Sequence, residues 1–110
     1  MKKAKIYMYK KWAGTLIENE DGYHFTYEEA YLNDEKAEPI SLTLPLTEKE
    51  YSSKILFPFF DGLIPEGWLL DIVEKNWKLD IRDRMSILLL TCTDCIGAVS
   101  VEPIETNENE

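Results

Sequence analysis

Phe57-Pro58-Phe59-Phe60-Asp61-Gly62-Leu63-Ile64-Pro65-Glu66-Gly67, followed by Trp68, sets three aromatics and two prolines around an Asp-Gly and a Pro-Glu-Gly. Neither a plain strand nor a plain helix uses such a mixture. Pro65 has no amide proton to donate, and Gly62 and Gly67 permit dihedrals closed to other residues. The stretch reads as a shaped loop that feeds a helix. That helix should run from Pro65 or Glu66 to Trp77, since proline is tolerated in a first helical turn.

Along that helix, Leu69, Leu70, Ile72, Val73 and Trp77 spread over one broad apolar face. Trp68 falls roughly 130° from the centre of that face, on the side of Asp71 and Lys75. Either the Phe57–Phe60 segment shields it, or it stands exposed as an interface anchor of the kind that dominates binding hot spots. Trp77 reads as core. A second helix should cover residues 81–91, with Asp80 as N-cap and Asp83 as an imperfect capping-box partner.

Upstream, residues 4–9 and 13–18 read as two strands joined by a short connection carrying lysine and tryptophan. Asp21-Gly22 is a hairpin signal. After it Tyr23, Phe25 and Tyr27 alternate with His24, Thr26 and Glu28, the period of a half-buried strand. His24 falls on the polar side, where a solvated histidine is the commoner finding. Residues 28–39 are polar. Ile40-Ser41-Leu42-Thr43-Leu44-Pro45-Leu46 alternates again and reads as a short strand near an edge, with Thr47 to Ser53 a polar connection. Gly97 to Val101 reads as a last strand, stopped by Pro103. The expected fold is α+β: an antiparallel sheet, a meander plus later strands, with two helices packed on one face. The domain is drawn at residues 4–103, and residues 104–110 as an acidic tail expected to be disordered.

At 110 residues and 45% hydrophobic content, the chain has the size and material for one domain. Its charge is uneven. Residues 1–17 hold five lysines and no acid, and the remainder holds 21 acids against seven bases. An acidic body repels phosphate backbones, so no direct nucleic-acid binding is expected, and the lysines read as a solvated strand face. Lys10 and Lys11 interrupt any apolar signal core, and no apolar run approaches the roughly 18 residues of a membrane span. The expectation is a cytoplasmic protein that contacts no membrane. Cys92 and Cys95 form one C-x-x-C, but it follows the helix-like run Ile87 to Leu90, the wrong end for a redox pair. With only His24 elsewhere, a four-ligand zinc site cannot be assembled. Structural cysteines are the preferred reading.

Catalytic signatures are thin. G-x-S-x-G, H-E-x-x-H and a phosphate-cradling glycine loop are all missing from the sequence. Asp61 and Glu66 could serve as an acid/base pair in a small enzyme, but capping of the turn and helix is preferred.

Three segments then carry a resemblance. Ser41 to Leu46, Pro58 to Gly67 and Asp94-Cys95-Ile96-Gly97-Ala98-Val99 stand in order and at the spacing of the N-terminal subdomain of the HipA family of serine/threonine kinase toxins. The chain resembles that subdomain over roughly residues 4–103. It has Cys92 where many members have glycine, and Leu69 and Leu70 where a basic residue often follows Pro-Glu-Gly. In such kinases a catalytic domain follows with the ATP loop and the catalytic and metal-binding aspartates. Those parts are missing here, so the resemblance implies a non-enzyme that needs no cofactor and no metal. A free-standing version is similar to the HipS group of HipBST toxin–antitoxin systems. The resemblance implies a HipT-like kinase as partner, neutralised by the small protein, with a HipB-like helix-turn-helix protein as a further partner. The off-face Trp68 and the rigid loop make Phe59, Phe60, Asp61, Gly62, Leu63, Ile64, Pro65, Glu66, Gly67 and Trp68 the expected docking residues, near the kinase active site. A non-inhibitory accessory subunit is the alternative. A fragment of a longer kinase is a further reading, against which the polar ending Glu105 to Glu110 reads as a natural terminus.

Overall fold

Alternation in the first 28 residues dictates the sheet. The computed structural model describes residues 2–65, 67, 82–91 and 98–104. Within them run β1 (Lys2–Met8), β2 (Lys11–Asn19), β3 (Gly22–Tyr27), α1 (Glu29–Leu32), β4 (Tyr51–Ser53), α2 (Pro58–Asp61), α3 (Arg84–Thr91) and β5 (Val99–Ile104). The strands form one antiparallel sheet in the order β4-β3-β2-β1-β5. Ala4, Ile6, Met8, Leu16, Phe25, Tyr27, Val99 and Val101 point to one face and are buried there. Tyr31 from α1, Phe60 from α2, and Met85 and Leu88 from α3 join the same core. Lys3, Lys5, Tyr7, Thr15, Ile17 and His24 occupy the alternating positions of β1 to β3, so the period of two that was legible in sequence is the period that divides core from surface.

The β1–β2 connection differs in detail. Its register shifts between Ile6 and Tyr7, which pair with Gly14 and Trp12, so Ala13 is the extra residue of a bulge. Trp12 therefore belongs to β2, opposite Tyr7, with the Lys5 ammonium 4.7 Å from its ring centre. The turn itself is Tyr9-Lys10, at φ 51° and 71°. Two positive φ values suit the twist of a two-residue hairpin, but asparagine and glycine are the usual occupants, and their absence hid the turn.

Residues 40–46 do not form a strand. Ser41 and Leu44 make an isolated bridge across a tight turn, Leu44 N–H donating to the Ser41 carbonyl at 3.0 Å. Leu44 is buried, while Leu42 at the tip is 96% exposed. Local hydroxyls outcompete a ladder here: Ser41 Oγ accepts from the Thr43 amide at 3.2 Å and lies 2.9 Å from Thr43 Oγ1. Two stacked tyrosines hold the rest of this loop, with ring centroids 6.2 Å apart. The Tyr27 hydroxyl donates to the Leu44 carbonyl and accepts from the Ile40 amide at 3.1 Å. The Tyr31 hydroxyl donates to the Glu38 carbonyl at 2.6 Å and accepts from the Glu38 amide at 3.2 Å. Burial pushes the Tyr27 hydroxyl up to about 12, so it remains a donor throughout the physiological range. Tyr27→Phe leaves two buried backbone groups unpaired and should cost about 2 kcal/mol, read as a lower urea midpoint with unchanged slope.

The supposed polar connection 47–53 ends in β4, whose Tyr51 pairs with Phe25 and Ser53 with Tyr23. Three residues, two of them serine, carry too little alternation to be seen in sequence. The second helix begins at Arg84, not at 81. Asp83 is its cap: the Asp83 carboxylate accepts from the Ser86 amide at 3.1 Å and its carbonyl from the Ile87 amide at 3.1 Å. Pro103 does not stop the last strand. It pairs with Ala4 inside β5, where edge position tolerates proline, and Ile104 pairs with Lys3, one residue past the expected domain boundary. The expected helix over 65–77, with Trp68 and Trp77, lies outside the described residues. So do Asp80, the Cys92/Cys95 pair, Asp94 to Gly97 and the tail 105–110.

Candidate functional site

Phe57 and Pro58 start the site. Pro58 occupies the first helical position of α2, where its missing amide costs nothing. Asp61 N–H donates to the Phe57 carbonyl at 3.0 Å and Gly62 N–H to that of Pro58 at 2.9 Å. The chain then tightens: Leu63 N–H donates to Phe60 at 3.0 Å and Ile64 N–H to Asp61 at 3.2 Å, three-residue spacings that end a helix compactly. Gly62 sits at φ −70°, which any residue can adopt. Of these two glycines, Gly67, at φ +82°, is the one that uses the freedom glycine has.

The structure divides the expected docking residues into two sets. Phe60 is fully buried, its ring centre 5.5 Å from Phe25, 6.1 Å from Phe57 and 5.2 Å from Phe59. It is the root of the loop. Phe59, Leu63 and Ile64 are half-buried against the core, and Gly62, Pro65 and Gly67 are exposed. Glu66 and Trp68 lie outside the described residues. The half-buried apolar side chains and exposed Pro65 form a partly apolar knuckle after α2.

Asp61 is not a cap. Its carboxylate accepts from Arg84 Nε at 2.7 Å, both side chains being partly exposed. Beside that pair, Lys2 Nζ stands 3.2 Å from Asp83 and 3.5 Å from Glu18. Partial burial works against the Asp83 charge, but hydrogen bonds from the Ser86 amide and hydroxyl and from Lys2 outweigh it and hold the carboxyl below the usual range. Partial burial likewise opposes the Lys2 charge, and Asp83 with Glu18 overcomes it and raises that ammonium. Burial, then the negative field of Glu18, Asp83 and Asp61, pushes the Tyr23 hydroxyl up to about 12. Nothing local in the sequence announced Arg84 as a partner of Asp61, because the two are 23 residues apart.

His24 is more engaged than a solvated histidine. Its Nδ1 lies 2.7 Å from Glu50 Oε2 and 3.0 Å from Ser52 Oγ, and its Nε2 lies 3.1 Å from Asn19 Oδ1. A serine–histidine–acid relay needs hydroxyl and carboxylate on opposite ring nitrogens. Here both meet Nδ1, so the cluster stitches β2, β3 and β4 together and forms no nucleophile. Among the described residues, no group of three histidine, cysteine or acidic side chains is placed to hold a metal ion.

The family model described as HipA N-terminal domain matches residues 4–102. The chain belongs to the HipA N-terminal domain family. A solved structure described as "N-terminal domain of HipA toxin" superposes with a TM-score of 0.74 at 28% identity, covering 97% of this chain and 96% of that one. An uncharacterised protein of Haemophilus influenzae is 31% identical over 93% of this chain and 92% of its own length. Two Sinorhizobium fredii proteins, "Putative kinase Y4dM" and "Putative kinase Y4mE", are 29% and 45% identical over 94% and 74% of this chain. The chain spans only 27% and 20% of the length of those two proteins. It is therefore the N-terminal domain, and not a kinase catalytic domain, that this chain matches. The knuckle at 57–67 and strand β5 as far as Glu102 both fall inside the matched region. No helix among the described residues is long and apolar enough to cross a membrane.

Proposed function

We propose that this HipA N-terminal domain is a non-catalytic antitoxin that binds and neutralises a HipT-like serine/threonine kinase in the cytoplasm. The observation that carries the reading is the knuckle: a proline-started loop, rooted in the core through Phe60, that carries Phe59, Leu63, Ile64 and Pro65. Membership of the family, with a match to 27% and 20% of the length of two kinase-named relatives, supports a kinase as the partner. The near-coextensive Haemophilus protein supports a domain that occurs by itself. In this reading Phe59 to Trp68 dock near the kinase active site, and Trp68 inserts there. A HipB-like helix-turn-helix protein supplies any DNA contact, since an acidic chain does not.

The test is a pull-down against the kinase encoded beside this chain, paired with growth of cells expressing that kinase with and without it. A stable complex with rescued growth is expected. A complex without rescue would make the chain an accessory subunit instead, and the lack of any complex would overturn the proposal. Trp68→Ala should weaken the complex by on the order of 2 kcal/mol, roughly thirtyfold in Kd, with circular dichroism unchanged. Unaltered affinity in that variant would remove Trp68 from the interface.

A further inference from the structure

Two ion pairs meet at one place in the fold. Asp61 is the last residue of α2 and Arg84 the first of α3, so their contact at 2.7 Å joins the end of one helix to the start of the next. Next to Arg84, Asp83 caps α3 and holds Lys2 of β1 at 3.2 Å. Lys2 in turn reaches Glu18 of β2. The two helix ends are thus tied both to each other and down to strands β1 and β2. Phe60, immediately before Asp61, is fully buried, so one post of the closure cannot move without disturbing the core.

We propose that the Asp61–Arg84 pair, braced by Lys2–Asp83, is a positioning clamp: Asp61 acts through Arg84 to fix how residues 62–67 are presented, and does not itself touch the partner. Where a partner is invoked, the inference rests on the docking reading above. Among the described residues of the Phe59–Trp68 stretch, it assigns the contact to Phe59, Leu63, Ile64 and Pro65. It also predicts that the charge at residue 61 matters only through its opposite at residue 84.

The geometry favours a clamp over a stability device. Both side chains are partly exposed, at 42% for Asp61 and 34% for Arg84. Pairs of that kind add little to global stability, yet they can bias a loop that opens at low cost. Breaking the clamp should therefore leave the sheet intact and alter only the loop that follows α2. A direct Asp61 contact to a partner would be indifferent to Arg84.

The experiment measures backbone hydrogen exchange of the full chain, together with kinase binding kinetics, for Asp61→Asn, Arg84→Gln and the swap Asp61→Arg with Arg84→Asp. Each single change should speed exchange across 62–67 by about fivefold and slow association by a similar factor, leaving β1 to β3 unaltered. The swap should restore both to within about twofold. Should the swap fold poorly, salt replaces it. Raising sodium chloride from 0.05 to 1 M should speed exchange in 62–67 of the unmodified chain and not of Asp61→Asn, because an exposed pair is screened. Unchanged exchange in both single variants would overturn the clamp. So would an association defect that persists in the swap after exchange is restored, since Asp61 would then contact the partner directly. If the unmodified chain binds no kinase, the docking reading falls, and exchange alone decides the clamp.

Discussion

Phe60→Ala should remove about 3–5 kcal/mol of stability, the cost of deleting a fully buried aromatic ring whose cavity cannot collapse. The ring touches Phe25 in the sheet, Phe57 before the helix and Phe59 beside it. Two of these neighbours are tied elsewhere: Phe25 to the ladder with β2, Phe57 to the core. Small domains carry only about 5–15 kcal/mol in total, so the variant should sit near the edge of folding. Urea unfolding followed by tryptophan fluorescence would read it, with Phe59→Ala as the comparison. Phe59 is only half-buried and should cost about a third as much. Equal costs for the two would mean that the loop is rooted by both rings and presents neither. Because Phe60 anchors the knuckle, loss of partner binding in this variant must be judged against its loss of fold.

Gly22→Ala should cost about 2–4 kcal/mol through two effects acting together. Gly22 sits at φ +126°, a conformation side chains avoid, and an added Cβ would lie 2.4 Å from the Ser53 carbonyl oxygen. The obstacle is backbone of β4, so the short edge strand must shift away from β3. Gly67→Ala isolates the first effect, since its φ is +82° and, among the described residues, nothing stands within 4 Å of its would-be Cβ. It should cost only about 1 kcal/mol. Thermal melts of the two variants, compared with the parent, give the measurement. Equal shifts would show that contact with β4 contributes nothing.

The parts of the fold that were legible share one property: long segments in which one face is buried and one is not. Tyr23, Phe25 and Tyr27 announce β3 because their alternation is the burial itself. Leu42, Leu44 and Leu46 alternate as cleanly and mislead, since the hydroxyls of Ser41, Thr43 and Tyr27 capture the backbone first. Helices α1 and α2 are four residues each, shorter than any window in which a helical period can show. Pro103 was misread because proline ends interior strands, and sequence does not say which strand lies at an edge. At the site, composition marked the loop correctly as shaped. It could not tell Phe60 from Phe59, because which of two adjacent rings turns inward is decided by Phe25, 35 positions earlier in the chain. Asp61 was read as a cap because its true partner is distant in sequence and adjacent only after folding.

Pro103 has one more implication. Among the described residues, the margins of the sheet are β4, three residues long, and β5, which carries a proline. Prolines in such strands turn their nitrogen away from the existing ladder, so a visiting strand laid along β5 meets a gap where a donor should be. Along β4 it meets a rail too short to grip. A molecule built this way resists being recruited by backbone pairing, whether by copies of itself or by unfolded neighbours. Its associations must then be made with side chains, one chosen surface at a time.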